Sequence, residues 1–187
     1  MNKLILASLS PRRKELLRKA GVSFSILPSR INEETTKKMP YAIVKDLAAQ
    51  KAIAVGKKLK DGIVIGADTI VVYKNHIIGK PKNNEEAIKI LSTLSGTWHR
   101  VYTGLALFAP KSGRLIRSYD VSRVKIRKLT KQEIISVSDK HLDKAGAYAV
   151  QEVEDDFVEK IVGDYNNVVG LPVKKLAKML KGFGIAI

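Results

Sequence analysis

A chain of 187 residues with 45% hydrophobic content and no cysteine is long enough to bury one core, and it excludes a disulfide framework, a thiolate metal site and a cysteine nucleophile. The apolar run over residues 4–7 is too short for a signal peptide and no other run approaches a membrane span, so residues 1–187 are expected to form a single cytoplasmic domain without a membrane partner. The formal charge of +16 admits nucleic acid, acidic lipid or phosphorylated small molecules as partners, but lysine spread along the chain is equally the pattern of a solvated surface.

In chain order, the segment Leu4-Ile-Leu-Ala-Ser-Leu-Ser-Pro-Arg-Arg-Lys-Glu-Leu-Leu17 reads as a strand running into a helix, with Ser10 as N-cap and Pro11 at the first helical position. Arg12 and Arg13 then fall in the first turn, where the helix dipole and outward N–H groups already present positive charge. Two guanidinium groups repel there unless an anion sits among them, which points to phosphate; the alternative is that both splay into water. Residues 24–27 form a short apolar strand, and residues 28–40 a polar loop containing Asn32-Glu33-Glu34. Residues 40–58 read as a long helix in which Val44, Leu47, Ala48, Lys51 and Val55 share one stripe, placing Lys51 on the face turned to the core. Its methylene stem could equally cover the core edge while the ammonium snorkels.

The run Ile63-Val-Ile-Gly-Ala67 has the continuous apolar character of a doubly buried strand, and Asp68 is expected at its C-terminal end. Residues 69–73 and 77–78 flank Lys74-Asn-His76 as a hairpin, followed by Gly79-Lys80-Pro81 and a helix over 84–94. Residues 97–108 and 115–127 read as long antiparallel strands joined through Pro110-Lys-Ser-Gly113. A helix over 130–138 has Thr130 as cap and Glu133 completing a capping box. Residues 147–151 and 157–161 are late strands, and a last helix starts near Leu171-Pro172 and stops at Gly182. The histidines at 76, 99 and 141 lack metal-ligand spacing and read as surface or packing residues.

The alternation of strands and helices favours an α/β fold: a mixed twisted sheet with flanking helices. In such sheets a ligand crevice lies beyond the carboxyl ends of the strands, where Ser8 to Arg13 and Asp68-Thr69 would converge. Arg12, Arg13, Lys51 and Lys80 supply cations, and Glu33 and Asp68 supply carboxylates. A metal-chelated triphosphate needs both, the first to grip phosphate oxygens and the second to hold the metal or deprotonate water. Taken singly, each has a plainer use: Asp68 as a turn cap, Glu33 as a solvated loop acid, Lys80 as an ordinary residue before proline. No Walker A loop and no Gly-x-Gly-x-x-Gly occurs, which speaks against a P-loop or Rossmann mode.

The segments Ala7-Ser-Leu-Ser-Pro-Arg-Arg-Lys-Glu-Leu-Leu17, Gly66-Ala-Asp-Thr-Ile-Val-Val72, Gly79-Lys-Pro81, Leu94-Ser-Gly96, Asp143-Lys-Ala-Gly-Ala-Tyr148 with Gln151, and Val168-Val-Gly-Leu-Pro172 follow one another in the order and spacing of the Maf family. The chain resembles these nucleoside triphosphate pyrophosphatases over nearly its whole length. The resemblance implies hydrolysis between the α- and β-phosphates with a divalent cation (Mg²⁺ or Mn²⁺), and the fold shared with inosine triphosphate pyrophosphatases. It also implies a homodimer in many members and no requirement for nucleic acid. Carried onto this sequence, it implies Asp68 as catalytic base, with Glu33 helping to place metal or water. Phosphate contacts fall on Ser8, Arg12, Arg13, Lys51 and Lys80. Similarity at Arg12, Thr69 and Gln151 is to the branch that prefers dTTP and UTP, and the family is associated with removal of modified nucleotides and with septum formation. Departures from the family pattern are Leu9 in place of a frequent glycine, Gln50 in place of a frequent glutamate, and Ala149 and Glu152 around Gln151. The competing classes are a catalytically weak nucleotide-binding regulator of septum formation and a basic nucleic-acid-binding protein, the latter disfavoured by an aromatic content of 6%.

Overall fold

The computed structural model describes residues 3–138, 145–147 and 157–185. Its strands are β1 (Leu4–Leu6), β2 (Ser25–Ile26), β3 (Ile63–Tyr73), β4 (His76–Ile78), β5 (Trp98–Ala109), β6 (Arg114–Ile126) and β7 (Val158–Val162). Its helices are α1 (Pro11–Lys19), α2 (Pro40–Gly56), α3 (Asn84–Leu94), α4 (Lys131–Val137), α5 (Tyr165–Val169) and α6 (Val173–Lys181). The described strands make a seven-stranded mixed sheet in the order β2-β1-β3-β5-β6-β7, with β4 paired to β3. Strand β1 runs parallel to both β2 and β3, whereas β4 and β7 pair antiparallel. This is the expected mixed α/β fold, and by contacts it divides into two compact units.

The first unit takes in the described residues of Met1–Asp68, Thr103–Asp120 and Gly170–Ile187. Local signals set its helices. Ser10 accepts a hydrogen bond from the Arg13 N–H at the start of α1, with Pro11 at the first position. The stripe on α2 is buried as the periodicity requires, Lys51 included. What seats α2 is a pair of glycines: Cβ atoms on Gly66 and Gly104 would lie 2.1 and 2.0 Å from the carbonyl oxygens of Ala48 and Val44. Helix backbone therefore rests almost directly on strand backbone, and Ala48, Ala49 and Ala52 close the small gap over Ile5, Val64 and Ala106.

The second unit comprises the described residues of Thr69–Tyr102 and Val121–Val169. Val71, Leu91, Leu94, Val101, Val124 and Phe157 lie at its core. Helix α4 carries the full capping box, Thr130 accepting from the Glu133 N–H and Glu133 accepting from the Thr130 N–H. Those bonds, after a side-chain bond from Arg127 as the largest cause, draw the Glu133 carboxyl down to about 2. Helix α5 is an element the sequence reading lacks. Its Asn167 is buried and donates to the Val101 carbonyl (3.0 Å) and to Ser122 Oγ (2.9 Å), so a tertiary contact rather than an amphipathic pattern defines that turn.

Two expectations are corrected. Asp68 lies inside β3, not at its end, because the strand continues to Tyr73; the charge that disfavours a strand interior is met there by a lysine from α2. His76 belongs to β4 and pairs with Tyr73, leaving Lys74 and Asn75 alone in the turn at φ 46° and 66°. That is the left-handed pair a tight two-residue hairpin needs. The expected strand over 147–151 falls outside the described residues apart from Ala147, as do His141 and Gln151.

His99 is 2% exposed on β5, and burial pushes its imidazole down to about 4. Above pH 6.5 neither folded nor unfolded chain binds this proton. Between 6.5 and 4 the unfolded chain binds it and the folded chain does not, so stability falls as pH falls through that window. The loss reaches about 3 kcal/mol once pH is below 4. Urea unfolding of the wild type and of His99→Gln from pH 7 to 4 should show a steeper decline in the wild type; parallel declines would remove His99 from the account.

Candidate active site

The first unit brings together side chains separated widely in sequence. Strand β3 presents Asp68, and α2 brings Lys51 to it from the facing layer. The Lys51 ammonium lies 2.7 Å from Asp68 Oδ1 and 2.9 Å from Glu33 Oε2, so one buried cation joins both carboxylates. Asp68 and Lys51 are buried, while the Glu33 side chain is 51% exposed on the loop between β2 and α2. Removing a partner from a buried pair leaves an uncompensated charge. Lys51→Met should lower stability by about 3 kcal/mol, read as a shift in urea midpoint; an unchanged midpoint would show that Asp68 is solvated without it.

Arg13 stands beside this pair. Its Nε donates to the Gly170 carbonyl (2.9 Å), and its Nη1 donates to the Ala67 carbonyl (2.9 Å) and to Ser8 Oγ (3.3 Å). Ser8 Oγ also accepts from the Ser10 N–H at 3.2 Å. Burial lowers the pKa of the Arg13 guanidinium, Asp68 and Glu33 pull it upward, and Arg12 adds to the lowering. Arg13 therefore ties the residue before Asp68 to the turn at Gly170, a role that neither spacing nor residue type announces. Gly170 adopts φ 114° there, a conformation that glycine accepts without strain. Arg12 occupies the first turn of α1, which holds no acidic residue, and is half-buried. Leu9 is 64% exposed.

Thr69 and Lys80 lie in the second unit, Thr69 half-buried in β3 and Lys80 exposed between β4 and α3. Among the described residues no three His, Cys, Asp or Glu side chains cluster as a metal site. Two carboxylates do converge, and that number suits a hard cation that keeps its remaining coordination for water and substrate phosphate. Asp68 and Glu33 thus supply oxygen ligands of the kind Mg²⁺ or Mn²⁺ takes. An open cleft of about 680 Å³ adjoins Glu33, lined also by Glu34, Thr35, Thr36, Asp46 and Gln50.

The family model described as Maf-like protein matches residues 3–183. The chain belongs to the Maf family. This Maf chain is 46% identical over 182 residues to a dTTP/UTP pyrophosphatase of Elusimicrobium minutum, covering 97% of this chain and 99% of that one. It is 43% identical to the dTTP/UTP pyrophosphatase of Aquifex aeolicus (96% and 94% covered) and 47% identical to that of Bacillus cereus strain AH820 (100% and 98%). Among solved structures the Staphylococcus aureus Ham1 protein shares the Maf chain's fold, with a TM-score of 0.55 at 16% identity and 96% and 98% of the two chains covered. No described helix of this Maf protein is long and apolar enough to cross a membrane.

Proposed function

We propose that this protein is a nucleoside triphosphate pyrophosphatase that converts dTTP and UTP, with water, to the nucleoside monophosphate and pyrophosphate. The observation that carries the reading is the Lys51 bridge to Asp68 and Glu33 in the same unit as Ser8, Arg12 and Arg13. The substrate class is supported by relatives named dTTP/UTP pyrophosphatase that match nearly the whole chain.

Asp68 is the base. Lys51 fixes one carboxylate oxygen, and the other accepts a proton from the water that attacks the α-phosphorus. The bond from that phosphorus to the bridging oxygen breaks, and pyrophosphate carries the electron pair away. Arg12, Lys51 and Lys80 offset charge on the phosphates, Ser8 donates to a phosphate oxygen, and Arg13 adds its charge while holding the Ala67 carbonyl in place. Asp68 and Glu33 would hold Mg²⁺ or Mn²⁺, which when bound neutralises phosphate charge and stabilises the leaving pyrophosphate. The Gln151 carboxamide accepts from N3–H and donates to O4 of a uracil or thymine ring, with Thr69 as a further substrate contact. On this reading the protein works in the cytoplasm with no requirement for nucleic acid, and a homodimer is what the family resemblance implies.

The test is to incubate the protein with Mg²⁺ or Mn²⁺ and each common triphosphate and to assay products. Equal amounts of monophosphate and pyrophosphate, formed fastest from dTTP and UTP, are expected. Release of orthophosphate with a diphosphate would overturn the reaction assignment. Gln151→Ala should flatten the preference among bases more than it lowers the best rate, and an unchanged profile would remove Gln151 from base recognition.

A further inference from the structure

Glu33 presents a physical problem: a half-exposed carboxylate on a loop without regular structure is held 2.9 Å from the Lys51 ammonium. A single ion pair of that exposure contributes too little to order a loop against its conformational entropy. The answer lies in the residues that follow it. Thr35 Oγ1 donates to Asp46 Oδ2 at 2.7 Å, and Gln50 Nε2 donates both to Asp46 Oδ2 (2.9 Å) and to the Glu34 carbonyl (2.9 Å). Asp46 and Gln50 are one helical turn apart on α2, and Lys51 follows directly. The loop is thus clamped at 34 and 35 to the same turn of helix that carries the cation Glu33 must reach. Both protons of the Gln50 amide are used, and one carboxylate oxygen of Asp46 receives two donors, so losing any member removes at least one of the bonds that hold the loop on α2.

We infer that Asp46, Gln50 and Thr35 are positioning residues that set Glu33 on Lys51, and so beside Asp68, by clamping the loop to α2. Their side chains bond to one another and to the Glu34 carbonyl, so they act through Glu33. The inference rests on the pyrophosphatase reading for its effect on turnover, but the clamp itself is a structural claim and has a separate readout.

The experiment is a double-mutant cycle on dTTP hydrolysis with Mg²⁺, with hydrogen exchange over residues 30–38 measured on the same proteins. Gln50→Leu and Thr35→Val should each lower kcat/KM by roughly tenfold and speed exchange in the loop, with the urea midpoint close to wild type. Thr35→Ser, which keeps the hydroxyl, should restore both. In a Glu33→Gln background the same substitutions should change kcat/KM no further, because the group they position is gone. Multiplicative losses in that background, or loop exchange unchanged by Gln50→Leu and Thr35→Val, would overturn the clamp. If the wild type leaves dTTP intact, the pyrophosphatase reading fails while loop exchange still decides the clamp.

Discussion

Asp68→Asn should cut turnover of dTTP by roughly 10²–10⁴-fold while leaving triphosphate affinity close to wild type. The substitution is nearly isosteric, and the asparagine oxygen can still accept from Lys51 at the 2.7 Å position. Lys51 also keeps Glu33 as its counter-charge, so no ammonium is left buried alone. What disappears is the capacity to take a proton from water and one of the two carboxylate charges offered to the cation, while Ser8, Arg12, Arg13, Lys51 and Lys80 still bind the phosphates. Pyrophosphate release under saturating substrate measures the first effect and equilibrium dialysis of dTTP the second. Undiminished turnover would remove Asp68 as base, and loss of affinity in step with rate would make it a binding group instead.

Gly104→Ala should destabilise the protein by about 3 kcal/mol or more, enough to threaten folding. The new methyl would sit 2.0 Å from the Val44 carbonyl oxygen, 2.3 Å from its carbon and 2.8 Å from the Lys45 nitrogen. All three are helix backbone, so no rotamer change relieves the contact and α2 itself must move. Lys51 rides on that helix, so turnover should fall with stability. Gly66→Ala meets the same obstacle at the Ala48 carbonyl, whereas Gly79→Ala has nothing within 4 Å and serves as control. Urea unfolding followed by far-ultraviolet circular dichroism measures the shift. A wild-type midpoint for Gly104→Ala would show that α2 is not seated on strand backbone.

His99 and Glu133 differ in the origin of their shifts. His99 titrates low because a tertiary environment excludes water, and Glu133 because neighbours within a few positions donate to it. The same division runs through the whole chain. The Ser10 cap, the Thr130–Glu133 capping box, the buried stripe of α2 and the boundaries of α3 are all coded by residues within a turn or two of each other. The extension of β3 through Asp68 is not, because its neighbours in sequence end an apolar run and its charge is met by Lys51 from a different element. Helix α5 is too short to carry a periodic pattern.

By itself the sequence determined the mixed α/β class, the family and the starts of α1, α3 and α4, since each is written in ordered motifs or in local spacing. Tertiary structure alone decided that Lys51 joins Asp68 to Glu33, that Arg13 binds carbonyls at Ala67 and Gly170, and that two glycines let α2 rest on the sheet. Arg13 and Gly170 stand 157 positions apart. A contact of that separation depends on backbone carbonyls, which every residue carries alike, and on the distance between packed layers. Side-chain identity records neither.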